Sequence, residues 1–322
     1  MAWYFHADMR IASARAQAAH AQRGAAAQPT GLSGKIQSEH HSRTDADGPW
    51  TLGLELELPL VSQKRRAARA EFAGLLATAA ELDVAQAAWT VRGRVRNRYL
   101  EWLASREALQ ALEAQIAAGQ EMYGLLSARE LGAQRVVNSQ LEVSRGQQLA
   151  KRQRAQGELA AALGLPLDTL ARMALRTDFP PELADDLDVA TLRGIALRNR
   201  LDVYRRLLEF GAADAEVKLA VAAQNPGITL GPGYSWDQGD NIWSLAIGVS
   251  LPGAALSRAV IREAHARREL AAEQFSAKQI DAISLCERAG AQLRQARSRV
   301  AAAQRQVQDQ QEQEARILRQ FK

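Results

Sequence analysis

A single cysteine, Cys286, nine prolines and an aromatic content of 5% are what this 322-residue chain has least of. One cysteine allows neither a disulfide framework nor a thiolate metal set. So few rings suit long, closely packed helices better than an aromatic-rich globular core. Long apolar runs are missing too: no stretch approaches the 18 or so uninterrupted apolar residues of a spanning helix, and the mean hydropathy is −0.27. That excludes a bundle of membrane helices but not a membrane protein, because barrel strands need only about ten alternating residues each and leave hydropathy averages low. The first residues, Met1-Ala-Trp-Tyr-Phe-His-Ala-Asp8, carry no basic n-region, apolar h-region or cleavage site of a signal peptide. No Ser-His-Asp spacing, phosphate loop or pair of catalytic carboxylates is evident, so the chain reads as a non-enzyme without a cofactor.

Alanine and arginine dominate instead. There are 63 alanines, and 35 of the 41 basic residues are Arg, for a formal net charge of +5. The arginines are interleaved with Glu and Gln and carry no stacking aromatics, the pattern of a solvated helix face and not of a nucleic-acid stripe.

The most informative feature is an internal repeat. Trp50-Thr-Leu-Gly-Leu-Glu-Leu-Glu-Leu-Pro59 aligns without a gap on Trp243-Ser-Leu-Ala-Ile-Gly-Val-Ser-Leu-Pro252, 193 residues further on. At the same offset Arg65 falls on Arg258 and Arg69 on Arg262. Upstream, Pro29-Thr-Gly-Leu-Ser-Gly34 resembles Pro226-Gly-Ile-Thr-Leu-Gly231.

Each copy predicts a strand, a turn, a second strand and a long helix. Leu52, Leu54, Leu56 and Leu58 alternate with Gly53, Glu55 and Glu57, so a strand here has one aliphatic and one polar face. In the second copy Leu245, Ile247, Val249 and Leu251 alternate with Ala246, Gly248 and Ser250. We expect four strands in two hairpins, 31–39 with 50–58 and 227–236 with 243–251, too few to close a barrel alone. From Val61 to about Leu131 proline is absent and apolar residues fall at helical spacing: Leu75, Leu82 and Trp89, then Val91, Val95, Tyr99 and Trp102, then Leu109, Leu112 and Ile116. Leu131-Gly132-Ala133 marks the expected reversal, and a return helix from about Val137 to Leu163 stops at Gly164-Leu165-Pro166. A short helix is expected near Asp8–Gln22. The chain therefore divides into a first repeat at 1–166, with hairpin 31–58 and helical hairpin 61–163, an equatorial connector at 167–200, and a second repeat at 201–322 with hairpin 227–251. The fold class is mainly α with β.

Strand hairpins that each continue into a very long helix, duplicated in one chain, resemble the TolC-like outer-membrane efflux proteins, the duct component of tripartite pumps. Asn225-Pro-Gly-Ile-Thr-Leu-Gly-Pro-Gly-Tyr234, Gly239-Asp-Asn-Ile-Trp-Ser-Leu-Ala-Ile-Gly-Val-Ser-Leu-Pro252 and Glu263-Ala-His-Ala-Arg-Arg268 are similar to its heavy-metal branch, associated with cobalt, zinc and cadmium export. Where that branch has an Arg-Asn segment this chain has Gly253-Ala-Ala-Leu-Ser-Arg258, and Asn199-Arg200-Leu201-Asp202 has Leu where the family has Pro.

The resemblance implies a homotrimer in which three sets of four strands close one twelve-stranded outer-membrane barrel and the helices build a periplasmic tunnel. It implies a periplasmic adaptor and an inner-membrane RND pump as partners. It places Leu52, Leu54, Leu56, Leu58, Leu245, Ile247, Val249 and Leu251 against lipid, Glu55, Glu57 and Ser250 toward the lumen, and Arg129, Leu131 and Gly132 at the tip that meets adaptor and pump. Trp50, Trp236 and Trp243 are candidates for an interfacial aromatic belt. Glu39-His40-His41 could hold a borderline metal, but neighbours on a strand point to opposite faces, so no metal site is assigned. The alternative reading is a periplasmic adaptor or coiled-coil structural protein, for which two hairpin copies and a clean alternation have no purpose.

The repeat also predicts chain outside the sequence given. The counterpart of Gly132 falls at 325, three residues past Lys322, so the second return helix is missing, and the short helix begins without the leader and acylated cysteine many relatives carry. We expect a chain shortened at both ends. Coding sequence downstream of Lys322 should then specify a Gly-containing turn and about 30 helical residues, the length of the first return helix; genomic sequencing that finds no such remnant would refute the expectation.

Overall fold

The computed structural model describes residues 6–29, 31–42, 49–121, 128–176, 188–237 and 239–320. Along them run α1 (Ala7–Ala27), β1 (Ser33–His40), β2 (Trp50–Leu60), α2 (Gln63–Glu121), α3 (Ala128–Leu163), α4 (Leu167–Ala171), α5 (Val189–Asn199), α6 (Leu201–Ala222), β3 (Gly227–Asp237), β4 (Asp240–Ser250) and α7 (Ala254–Gln320). They belong to two compact units, Met1–Ala18 with Ala80–Ala184, and Ala19–Ala79 with Asp185–Lys322. Pro180, Pro181, Asp185 and Asp186 of the connector lie outside the described residues.

The second of these units holds the sheet. Its order is β1-β2-β3-β4, every neighbouring pair antiparallel. Period-two alternation decides the faces: Leu54 pairs with Ile36 on one side and Tyr234 on the other, Leu58 with Leu230, and Leu230 with Ile247. Cross-strand partners point to the same side, so the aliphatic residues of all four strands share one face. Gly239, at φ 108°, supplies the left-handed residue in the turn from β3 to β4. The helices of this unit meet through small side chains. α6 buries Ala212, Ala213 and Ala215 beside Val203, Leu208 and Val217, and α7 buries Ala264 and Ala282. Alanine at the contact lets two backbones approach closely, and α6 and α7 bring Cα atoms within 8 Å of each other. Asp188 caps α5, its carboxylate accepting from the Ala190 and Thr191 amides at 3.0 Å and the Thr191 hydroxyl at 2.7 Å. At 67 residues α7 is about 100 Å long.

In the first unit α2 and α3 run antiparallel. Arg98 pairs with Glu158 at 2.7 Å, Gln148 Nε2 donates to the Ser105 carbonyl at 3.3 Å, and Gly119 faces Asn138. Leu159, Ala160 and Leu170 form a small core against Tyr99, Trp102, Leu163 and Leu175, and the Tyr99 hydroxyl donates to the Arg176 carbonyl at 2.7 Å. α3 ends where expected: Gly164 adopts φ 70°, and the Leu165 amide reaches back to the Ala160 carbonyl at 3.0 Å, closing a Schellman-type cap.

On α2 Val91 and Leu103 are fully buried, whereas Trp89 is 60% exposed, with the Arg92 guanidinium 5.0 Å over its ring. One expectation needs correction: the chain does not reverse at Leu131-Gly132-Ala133. Arg129, Leu131 and Gly132 all lie within α3, and the joining residues 122–127 are outside the described residues. One interior glycine among good helix formers is tolerated at about 1 kcal/mol, so it did not end the helix. A Cβ at Gly132 would meet nothing within 4 Å. Gly132→Ala should therefore stabilise by about 0.5–1 kcal/mol, read as a higher urea midpoint by circular dichroism; a lower midpoint would return Gly132 to a turn.

Candidate functional site

The sheet presents two chemically opposed faces. On the aliphatic face β4 exposes Leu245, Ile247 and Val249 at 68%, 66% and 58%, and β2 exposes Leu52, Leu54 and Leu58 at 50%, 47% and 41%. Leu56 is half-buried and Leu251 lies one residue past β4, fully outside. Ile36 extends the face onto β1 at 83% exposure. No described helix covers this surface, which in an aqueous monomer would be an aggregation liability.

The other face is small and polar. Lys35 pairs across the strands with Glu55 and Ser33 with Glu57. Gly231 and Gly233 of β3 lie opposite Ala246 and Ser244 of β4. At Gly231 a Cβ would approach Ala246 Cβ and Glu55 Oε1 to 3.3 Å, so glycine there lets charged side chains lie over the sheet.

Aromatic rings gather at the turn end of the aliphatic face. Trp50, Tyr234, Trp236 and Trp243 occupy neighbouring register positions. Tyr234 and Trp243 pack at 4.9 Å, and the Tyr234 hydroxyl donates to Asn241 Oδ1 at 2.6 Å. The two adjacent histidines diverge as alternation requires. The His40 ring stands edge-on to Trp50 at 4.7 Å, whereas His41 Nε2 lies 3.0 Å from Thr51 Oγ1, whose hydroxyl also bonds the Asp237 carboxylate. Among the described residues no group of three His, Cys, Asp or Glu could hold a metal ion.

The first unit, by itself, contains a close approach between α2 and α3 that the sequence alone did not reveal. A Cβ on Gly119 would come 2.6 Å from Asn138 Oδ1 and 2.9 Å from Gln134 Nε2, and Gln134 itself donates to Asn138 Oδ1 at 3.1 Å. Gly119 is where α2 and α3 need a glycine. The proposed tip residues Leu131 and Gly132 follow a few residues before Gln134 on α3, and the Arg129 side chain is outside the described residues.

A second charged node marks the break between α5 and α6. Arg200, in extended backbone, donates Nε and Nη2 to Asp202 at 2.9 and 2.7 Å, and Lys278 of α7 adds its ammonium at 3.3 Å. The bidentate Arg200 contact, reinforced by Lys278, holds the Asp202 carboxyl at about 2.

No protein-family model matches the chain, and no curated protein sequence matches it. Its fold does match solved structures. The outer membrane protein VceC of Vibrio cholerae aligns at TM-score 0.65 and 20% identity, over 87% of this chain and 74% of that one. The open-state outer membrane channel MtrE of Neisseria gonorrhoeae aligns at 0.65 and 16%, over 88% and 68%. A membrane protein from Pseudomonas aeruginosa aligns at 0.67 and 20%, over 87% and 71%. At such identities the likeness is one of fold, a mainly helical chain with a small antiparallel sheet.

Because the Asp202 carboxyl titrates lower when folded, its contribution is complete above its unfolded pKa, about 3.9, and is lost as pH falls toward 2. Asp202→Asn should lower stability at pH 7 by about 1–2 kcal/mol after allowance for solvent screening. Urea midpoints of the two proteins should converge near pH 2; equal midpoints at pH 7 would show that the node carries no stability.

Proposed function

We propose that the chain is the outer-membrane channel subunit of a tripartite, RND-type efflux system, a passive duct with a periplasmic helical extension. The observation that carries this reading is the open four-stranded sheet, aliphatic and exposed on one face, polar on the other, unpaired at both edges among the described residues and fused to very long helices. Three copies provide the twelve strands of a closed barrel, and closure is the only way a sheet satisfies its edges in lipid. From Trp50 to Leu60 the strand spans about 33 Å, or about 25 Å along the bilayer normal at the tilt of about 40° usual for barrels, which matches the apolar band of such proteins. Glu55, Glu57 and Lys35 then line a hydrated path, and the turn-end rings sit at a membrane surface.

The duct performs no chemistry. The energy comes from an inner-membrane pump, and a periplasmic adaptor seals the joint near the helical tip, where Arg129, Leu131 and Gly132 are the residues we assign to docking. The cargo is metal ions or small toxic compounds; the similarity of the second repeat to the cobalt, zinc and cadmium branch supports the former. The rival reading, a coiled-coil adaptor, leaves the exposed aliphatic face without a role.

Leu54→Arg or Ile247→Arg should block membrane assembly, at about 2–4 kcal/mol each near the midplane. The measurement is trimer yield in isolated outer membranes; undiminished yield would overturn the channel reading. Glu57→Gln, on the opposite face, should assemble normally.

A further inference from the structure

Where β2 runs into α2, the unit that holds the sheet contains a cavity of about 1020 Å³. Its wall passes from Leu58, Leu60 and Ile228, the last residues of the aliphatic face, to the guanidinium groups of Arg65 and Arg66. The wall is apolar at one end and cationic at the other.

The cations are conspicuous for what they lack. Lys64, Arg65, Arg258 and Arg262 meet no carboxylate among the described residues, and Arg66 reaches only the Val61 carbonyl, at 3.5 Å. Farther from the sheet the cations are paired: Lys218 with Glu71 at 2.9 Å, Arg268 with Asp214 at 3.4 Å, and Arg267 with both Glu216 and Glu263. Arg267 thereby offsets one of the two negative charges of Glu216 and Glu263, which also line the cavity, and the four arginines there still outnumber the two carboxylates. Arg69 is engaged as well, donating to the Ala26 and Gln28 carbonyls at 2.9 Å. Neither α2 nor α7 has an acidic residue in its first turn. Cations at that end of a helix oppose its dipole, so this placement destabilises the protein unless an anion from outside is present. The arrangement recurs only in part: Arg258 and Arg262, the counterparts of Arg65 and Arg69, line a second, smaller cavity with Gln224, Ala255 and Ile261, but Ala259 stands at the counterpart of Arg66.

We propose that Arg65 and Arg66 bind the phosphodiester headgroup of an anionic phospholipid whose acyl chains lie on Leu58, Leu60 and Ile228. The proposal rests on the reading of the sheet as a bilayer segment. Guanidinium groups suit phosphate because their donors match its oxygens two at a time, and long basic side chains reach a headgroup from the edge of an apolar surface. A soluble anionic protein would match the charges but not the adjoining leucines.

The test is insertion of the purified full chain into vesicles of phosphatidylcholine alone or with about one third phosphatidylglycerol, a mixture whose anionic charge attracts basic side chains. The readout is the fraction that floats with the vesicles and resists added protease. Wild type should insert more with phosphatidylglycerol, and Arg65→Gln with Arg66→Gln should lose about fivefold of that gain per guanidinium removed. Arg65→Lys with Arg66→Lys, which keep the charge, should retain most of it. Equal insertion of wild type into both vesicles, or a gain unchanged in the Gln pair, overturns the lipid proposal and leaves the channel reading standing. Insertion into neither vesicle overturns both. If the Gln pair inserts nowhere, wild type at about 1 M salt, where the Debye length is about 3 Å, gives the same comparison, and a gain that persists there overturns the proposal.

Discussion

Along the outer sides of β1 and β4 the backbone N–H and C=O groups meet no further strand among the described residues, and each such group left unpaired in hydrocarbon costs several kcal/mol. The same sheet turns an uncovered aliphatic face outward. These two demands conflict in any single environment. Water satisfies the edges but not the face; lipid satisfies the face but not the edges. Under the channel reading further copies of the chain in a bilayer meet both, and the division of the chain follows from that: the strands must be few enough to need partners, and the helices long enough to bring those partners together outside the membrane.

The faces of the sheet were legible in the sequence because a period of two needs no knowledge of neighbours. Leu52, Leu54, Leu56 and Leu58 lie on one side of β2 whatever β1 and β3 contain. The stop at Gly164 was legible for a similar reason, since its cap is made within six residues of chain. What failed depended on a second element. Gly132 and Gly119 look alike in sequence, yet Gly132 has open space beside it and Gly119 faces Asn138. The Arg200–Asp202–Lys278 node was equally invisible, because nothing local places Lys278 beside a residue 76 positions earlier.

Alanine carries the contact between α6 and α7, and alanine has little conformational entropy to lose and one methyl to fit. A seam of near-identical methyl groups packs almost as well after one helix slides by a turn against the other, so it leaves axial position poorly determined. The polar contacts supply what it omits. Going up α7, Arg267, Gln274, Lys278 and Glu287 meet Glu216, Arg206, Asp202 and Arg193 in strictly descending order. Apart from the Asp202 node, each is exposed enough to contribute little energy alone. Together they act as a vernier: a slip of one turn misaligns every pair at once, so interactions that add little to stability can still select a single registry.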